Sequence, residues 1–194
     1  MFVRAGDVNE SQRLWLVRHA PVADAAGIIH DWDAPADVGD VGALEVLREK
    51  LPKGAVQFAS PSLRTLQTAA ALGLNPVSDP NLLEQNFGDW TGRRHDDLAR
   101  EFGAAYHDFW KAPAENRPPN GESFADQVVR MRGALAALPP GDIVVVAHSG
   151  TVRAALAIAL GIVPESALRF KIDPLSLTRI DRVDGGWSVV CVNC

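Results

Sequence analysis

Asp142-Ile-Val-Val-Val-Ala147 is apolar at every position after its first residue and runs straight into His148-Ser149-Gly150. A strand with one face in water alternates polar and apolar side chains. A strand that is apolar throughout is covered on both faces, as in the middle of a parallel sheet. This run therefore calls for helices on both sides of a sheet, and the neighbouring segments have the pattern to form them. Arg13-Leu-Trp-Leu-Val-Arg18 and Ala55-Val-Gln-Phe-Ala-Ser60 read as two further strands, and a short one is expected near Val77. Between them Leu44, Leu47 and Leu51 recur at helical spacing, as do Leu63, Leu66, Ala69 and Ala70 in a helix expected over 62–72 with Ser60 as its cap.

The second half continues the alternation. Helical stretches are expected from about Arg94 to Trp110, from Glu122-Ser123 to Leu138, and from Thr151 to Leu160 before Gly161. Segments 176–183 and 187–193 flank Asp184-Gly185-Gly186 and read as a hairpin. Strands alternating with helices predict an α/β fold, a three-layer α/β/α sandwich with a mostly parallel central sheet and a C-terminal hairpin. No repeat or linker divides the 194 residues, so a single domain over 1–194 is expected, with residues 1–12 as a short mobile tail.

Composition narrows the function classes. A net charge of -5 offers no global attraction to nucleic acid or an acidic membrane surface, and no apolar run approaches membrane-spanning length. The polar N-terminus lacks the apolar core of a secretory signal, which makes a cytoplasmic location the default. Cys191 and Cys194 lie in a β-branched, alternating segment; three residues of strand would hold them too far apart for a disulfide, so two structural thiols are expected.

The polar residues that remain collect just past strand ends, the edge where open α/β sheets bind ligands. The first strand delivers Arg18 and His19. The second leads to Arg64, one turn into the following helix, and the central strand leads to His148 and the backbone amides of the helix start. Each is unremarkable alone: a histidine at a strand end is commonly a core residue, and a helical arginine is commonly solvated. Cations from three strand ends on one sheet edge have no structural purpose that would offset their desolvation and repulsion, whereas they suit a phosphate dianion.

Leu16-Val-Arg-His-Ala20 resembles the Arg-His-Gly signature of the histidine phosphatase superfamily, which includes the cofactor-dependent phosphoglycerate mutases. Ser60-Pro-Ser-Leu-Arg-Thr-Leu-Gln-Thr-Ala69, Leu83-Glu-Gln-Asn-Phe-Gly-Asp-Trp-Thr-Gly92 and Val144-Val-Val-Ala-His-Ser-Gly150 are similar to its later motifs, in the same order. The resemblance implies His19 as nucleophile, Arg18, Arg64 and His148 as the phosphate pocket, and Glu84 as proton donor. It implies no metal and no cofactor, and a small phosphorylated metabolite as partner, with a homodimer left open.

Where the family has glycine after the nucleophile, this chain has Ala20, which tolerates a positive φ poorly and puts the geometry of that loop in question. Gly121-Glu122-Ser123 resembles a pocket-rim element, with helix capping by Ser123 as the competing reading. Ser149 is a candidate phosphate contact through its backbone, again with capping as the alternative, and Asp33-Ala-Pro35 is given a structural role. His30, His95 and His107 read as surface residues; Trp90, Phe109 and Trp110 read as packing or as pocket wall. The short segment between Gly92 and Gly121 favours a phosphatase over a mutase. Within phosphatases the Glu84 segment most resembles α-ribazole phosphatases, and a non-catalytic phosphate-binding regulator is the alternative from another class.

Overall fold

The computed structural model describes residues 11–23 and 27–194. The expected tail falls mostly outside these residues, but Gln12, which was assigned to it, is buried and opens the first strand. Strands β1 (Gln12–Arg18), β2 (Val56–Ala59), β3 (Val77–Ser78), β4 (Gly141–Ala147), β5 (Leu177–Val183) and β6 (Gly186–Cys191) form one sheet in the order β3-β2-β4-β1-β5-β6. The first four are mutually parallel; β5 runs antiparallel to β1, and β6 returns against it. The fold class is the one expected from the sequence.

The apolar run of β4 sits mid-sheet because both its faces are covered. Ile143, Val145 and Ala147 join Leu14 and Leu16 under helices α5 (Phe124–Ala137) and α6 (Ser149–Leu160). Val146 and Val17 face the other way, toward Leu44 and Leu47 of α1 (Val41–Lys50) and Ala69 of α2 (Leu63–Ala71). The alternation of side chains along a strand thus assigns each residue to one of two cores. Helices α3 (His95–Phe102) and α4 (Ala104–Lys111) close a third cluster with Ile29 and Trp90, and the short α7 (Pro164–Ala167) follows α6. No helix among the described residues is long and apolar enough to cross a membrane.

Two local expectations are corrected. Ser60 does not cap α2: Ser62 is still extended (φ -63, ψ 142), so the helix starts at Leu63, whose N–H bonds to Trp32 O at 2.8 Å. The chain at Cys191–Cys194 is not a continuous strand either. β6 stops at Cys191, and a tight left-handed turn at Asn193 (φ 58) bulges the chain before Cys194 resumes backbone hydrogen bonds with Leu177, two residues further along β5. The turn shortens the Cα–Cα separation to 6.4 Å, and the two cysteines form a disulfide.

Candidate active site

Register brings the strand ends together. Arg18 pairs with Ala147 and Ala59 with Val146, so His19, Ser60 and His148 leave the sheet side by side. The His19 N–H continues the ladder to Ala147 O at 3.0 Å. The rings of His19 and His148 meet edge to face with centroids 5.2 Å apart, and both side chains are buried.

The orientation of His19 follows from one hydrogen bond. Its Nδ1 lies 2.6 Å from Ala20 O, and a carbonyl can only accept, so Nδ1 carries the proton and Nε2 keeps the free lone pair. Burial and then the nearby Arg64, Arg18 and His30 lower the His19 pKa to about 3, against the opposing effect of the Ala20 carbonyl. His148 is lowered well below the ordinary value, chiefly by burial and then by Arg64. Its Nε2 contacts Ser60 Oγ at 2.8 Å, while its buried Nδ1 has no hydrogen-bond partner.

The loop that departs from the family pattern is unstrained. Ala20 is not among the non-glycine residues with positive φ, and its N–H donates to Thr68 Oγ1 at 2.9 Å. Strain lies instead at Leu175 (φ 57), whose N–H is shared between the carbonyls of Arg18 (3.1 Å) and His19 (3.4 Å).

Arg18 and Arg64 are held alike. The first donates from a terminal nitrogen to Ile172 O at 2.5 Å and the second to Asp31 O at 2.6 Å. Neither forms an ion pair among the described residues, and Arg18 Nε is buried without a partner. Burial lowers both pKa values, opposed by the field of Glu84, but guanidinium stays charged. Buried donors without partners are rare in native proteins and mark a place where a ligand can bind.

Glu84 is half-buried and fixed from three directions. Its Oε2 accepts from Gly150 N at 3.1 Å and is 3.4 Å from Ser149 Oγ, while its Oε1 accepts from Gln85 N at 3.1 Å and Gln127 Nε2 at 3.2 Å. Arg130 on α5 pairs with Glu122 at 2.7 Å and donates to Leu83 O, while Thr151 Oγ1 donates to Leu82 O at 3.1 Å. The loop is thereby clamped between α5 and α6. Gly150 has no freedom here, because a Cβ would sit 2.1 Å from Glu84 Oε1.

Four of the expected residues, Arg18, His19, Arg64 and His148, thus converge with Glu84 beside them, and Ser149 faces Glu84. Ser123 does not join them. Its hydroxyl accepts from Asp126 N at 3.1 Å in a complete capping box on α5, so the capping reading holds. His30, read as a surface residue, lines a cavity of about 510 Å³ with Trp32, Arg64, Glu84 and Arg130. His95 is half-buried with Nδ1 2.6 Å from Tyr106 OH, while His107 is exposed. Trp90 and Phe109 are buried packing residues, and Trp110 is 42% exposed at the wall of a second cavity. The sequence reading missed Ser60 as a partner of His148, and it missed Gln127 and Arg153. No group of three or more His, Cys, Asp or Glu side chains suited to a metal ion occurs among the described residues.

Burial of neutral histidines has a consequence for acid stability. Unfolded His19 binds a proton below the ordinary pKa of 6.5, whereas folded His19 resists protonation until about 3. The unfolded state therefore holds more protons in that window, and stability falls as pH drops from 6.5 toward 3. Lowering the pH from 7.5 to 5.0 is expected to cost about 2 kcal/mol from His19 alone, and His148 acts in the same direction. Asp126 and Asp142, whose pKa values are depressed mainly by Arg117 and Arg13, withdraw their stabilisation only at lower pH. Urea unfolding at both pH values tests this. His19→Asn should flatten the dependence, and an unchanged slope would contradict the assignment.

The family model of the histidine phosphatase superfamily (branch 1) matches residues 14–194, and the chain belongs to this family. A probable phosphoglycerate mutase of Yersinia enterocolitica is 31% identical over 187 residues, covering 90% of this chain and 87% of the relative. The adenosylcobalamin/alpha-ribazole phosphatase of Escherichia coli is 26% identical, covering 93% and 90%. The crystal structure of a putative alpha-ribazole-5'-P phosphatase from Escherichia coli superposes with a TM-score of 0.84 at 25% identity, covering 94% of this chain and 96% of that one.

Proposed function

We propose that the protein is a phosphatase that hydrolyses a small phosphomonoester through a phosphohistidine at His19. The observation that carries this reading is the pairing of a neutral imidazole, proton fixed on Nδ1, with two guanidiniums, Arg64 buried and Arg18 half-buried, that have no carboxylate partner among the described residues. His19 Nε2 attacks phosphorus as the bond to the leaving oxygen breaks. Arg18, Arg64 and His148 take up the charge of the phosphoryl oxygens. Protonated Glu84 gives its proton to the departing alkoxide. Its carboxylate then takes one from the water that cleaves the N–P bond, which returns His19 to its neutral form and releases phosphate.

The short segment between Gly92 and Gly121 favours transfer to water over transfer to a second substrate, because less chain is available to close over the phosphoenzyme. α-Ribazole 5′-phosphate is the first substrate to try, given the names of the relatives. The test offers chelator-treated protein a panel of phosphomonoesters including this one, and separately 3-phosphoglycerate with 2,3-bisphosphoglycerate. Release of inorganic phosphate from the panel is expected. Formation of 2-phosphoglycerate at a higher rate than any hydrolysis would replace the phosphatase reading with a mutase.

A further inference from the structure

Beyond Glu84 lies a second cavity of about 330 Å³, lined by Glu84, Ser149, Arg153, Phe87, Phe109 and Trp110 among others. Glu84 therefore borders two spaces, this one and the larger one that contains Arg64. Arg153 stands on α6 one turn beyond Ser149 and is anchored as the phosphate-site arginines are, by one N–H, from Nε to Phe170 O at 2.9 Å. Its terminal nitrogens have no hydrogen bond or ion pair among the described residues. Burial lowers its pKa and the field of Glu84 opposes that effect, yet the charge remains.

A charge count in the reacting complex singles this residue out. Arg18 and Arg64 face a phosphate dianion, which they match. When Glu84 carries the proton that the leaving oxygen needs, it no longer offsets a cation. Arg153 is then a half-buried guanidinium without a counter-charge, an unfavourable arrangement unless the substrate provides one. The same cavity has an aromatic lining: Trp110 meets Phe109 edge to face at 4.9 Å, and Phe87 lies 6.3 Å from Phe109. Such a lining suits a flat apolar body, and a guanidinium beside it suits a carboxylate or second phosphate.

We infer that this cavity is the leaving-group subsite, and that it selects phosphomonoesters whose alcohol has a flat apolar body ending in an anionic group held by Arg153. The inference rests on the phosphatase reading for its direction of turnover. It sets the preferred substrate apart from esters of uncharged alcohols, α-ribazole 5′-phosphate included, which this subsite would disfavour.

The probes are phenyl phosphate and 4-(carboxymethyl)phenyl phosphate, which differ by one carboxylate that a methylene insulates from the phenolic oxygen. Wild-type protein is expected to favour the carboxylate ester in kcat/KM by on the order of tenfold, the worth of a hydrogen bond to a charged group. Arg153→Met should erase most of that preference, mainly through KM, and Arg153→Lys should restore part of it. Equal kcat/KM for the two esters in wild type, or an equal loss on both in Arg153→Met, would overturn the inference. Calorimetric binding of both esters to the His19→Ala variant gives the same comparison without turnover. If wild type hydrolyses neither ester while binding still shows the Arg153-dependent preference, the phosphatase reading fails and the subsite stands; no binding preference overturns the subsite.

Discussion

His19→Ala is expected to lower kcat for p-nitrophenyl phosphate by about 10⁴-fold or more while inorganic phosphate still binds. The size of the effect follows from the site's division of labour. His19 is neutral, with its pKa lowered to about 3 mainly by burial, so it adds no positive charge to the site. The anion is attracted by Arg18 and Arg64, which alanine at residue 19 leaves in place. What disappears is the lone pair on Nε2, for which no nearby group substitutes. His148 is held to Ser60, and its other ring nitrogen belongs to a ring set edge-on to His19. The kinetic assay should be paired with rapid-quench labelling. Wild type should yield an acid-labile, base-stable phosphoryl group, and the variant none. Equal rates for the two proteins would remove His19 from the chemistry, and an unlabelled but active wild type would remove the covalent step.

The second large effect concerns Glu84, and here the substrate matters as much as the variant. Glu84→Gln keeps the shape and one carbonyl oxygen for the Gly150 N–H, but it has no proton to give. A general acid typically contributes 10²–10⁴-fold, so hydrolysis of an alkyl phosphate should fall by roughly that factor. Nitrophenolate leaves without help, so p-nitrophenyl phosphate should lose far less in the step that forms the phosphoenzyme. A uniform loss across both substrates would mean that Glu84 holds the site together and does not deliver the proton. Gly150→Ala offers an independent approach, because its methyl group would collide with the Glu84 carboxylate and push it from its position while leaving Glu84 in the sequence. Its substrate dependence should resemble that of Glu84→Gln.

Much of this was legible before any coordinates. The uninterrupted apolar run of β4 places it between two layers of helices, and strand exits carrying Arg18, His19 and His148 then fall on one edge by register alone. Arg64 follows from its distance into the helix after β2. The same rule applied to the helix after β4 points to Arg153, one turn beyond Ser149, so the sequence carries that signal too. The partners of Glu84 are a different matter. Gln127 is 43 residues away in sequence, and nothing local in α5 distinguishes it from other polar helix positions.

The other misreadings share a cause, which is extrapolation of a local pattern by one or two residues too many. Ser60 precedes a proline and resembles a cap, yet the chain stays extended to Ser62, which leaves the Ser60 hydroxyl beside His148. Alternation to Asn193 resembles strand, yet a left-handed residue turns the chain. Ala20 raised the opposite concern and proved harmless, since its backbone never needs the conformation reserved for glycine.

The turn at Asn193 reaches further than its position suggests. The Asn193 side chain accepts from Asp173 N at 2.6 Å and donates to Asp173 Oδ2 at 2.9 Å. The adjacent Ile172 carbonyl anchors Arg18, and the N–H of Leu175 holds the carbonyls of Arg18 and His19. The nucleophile is thereby tied to a piece of chain more than 170 residues away in sequence. In terms of local unfolding, the fraying of one edge and the loosening of the catalytic loop become a single opening event with a single free energy. Amide exchange at Asp173, whose N–H is held by Asn193, and at Leu175 is then expected to report on the integrity of the turn at Asn193.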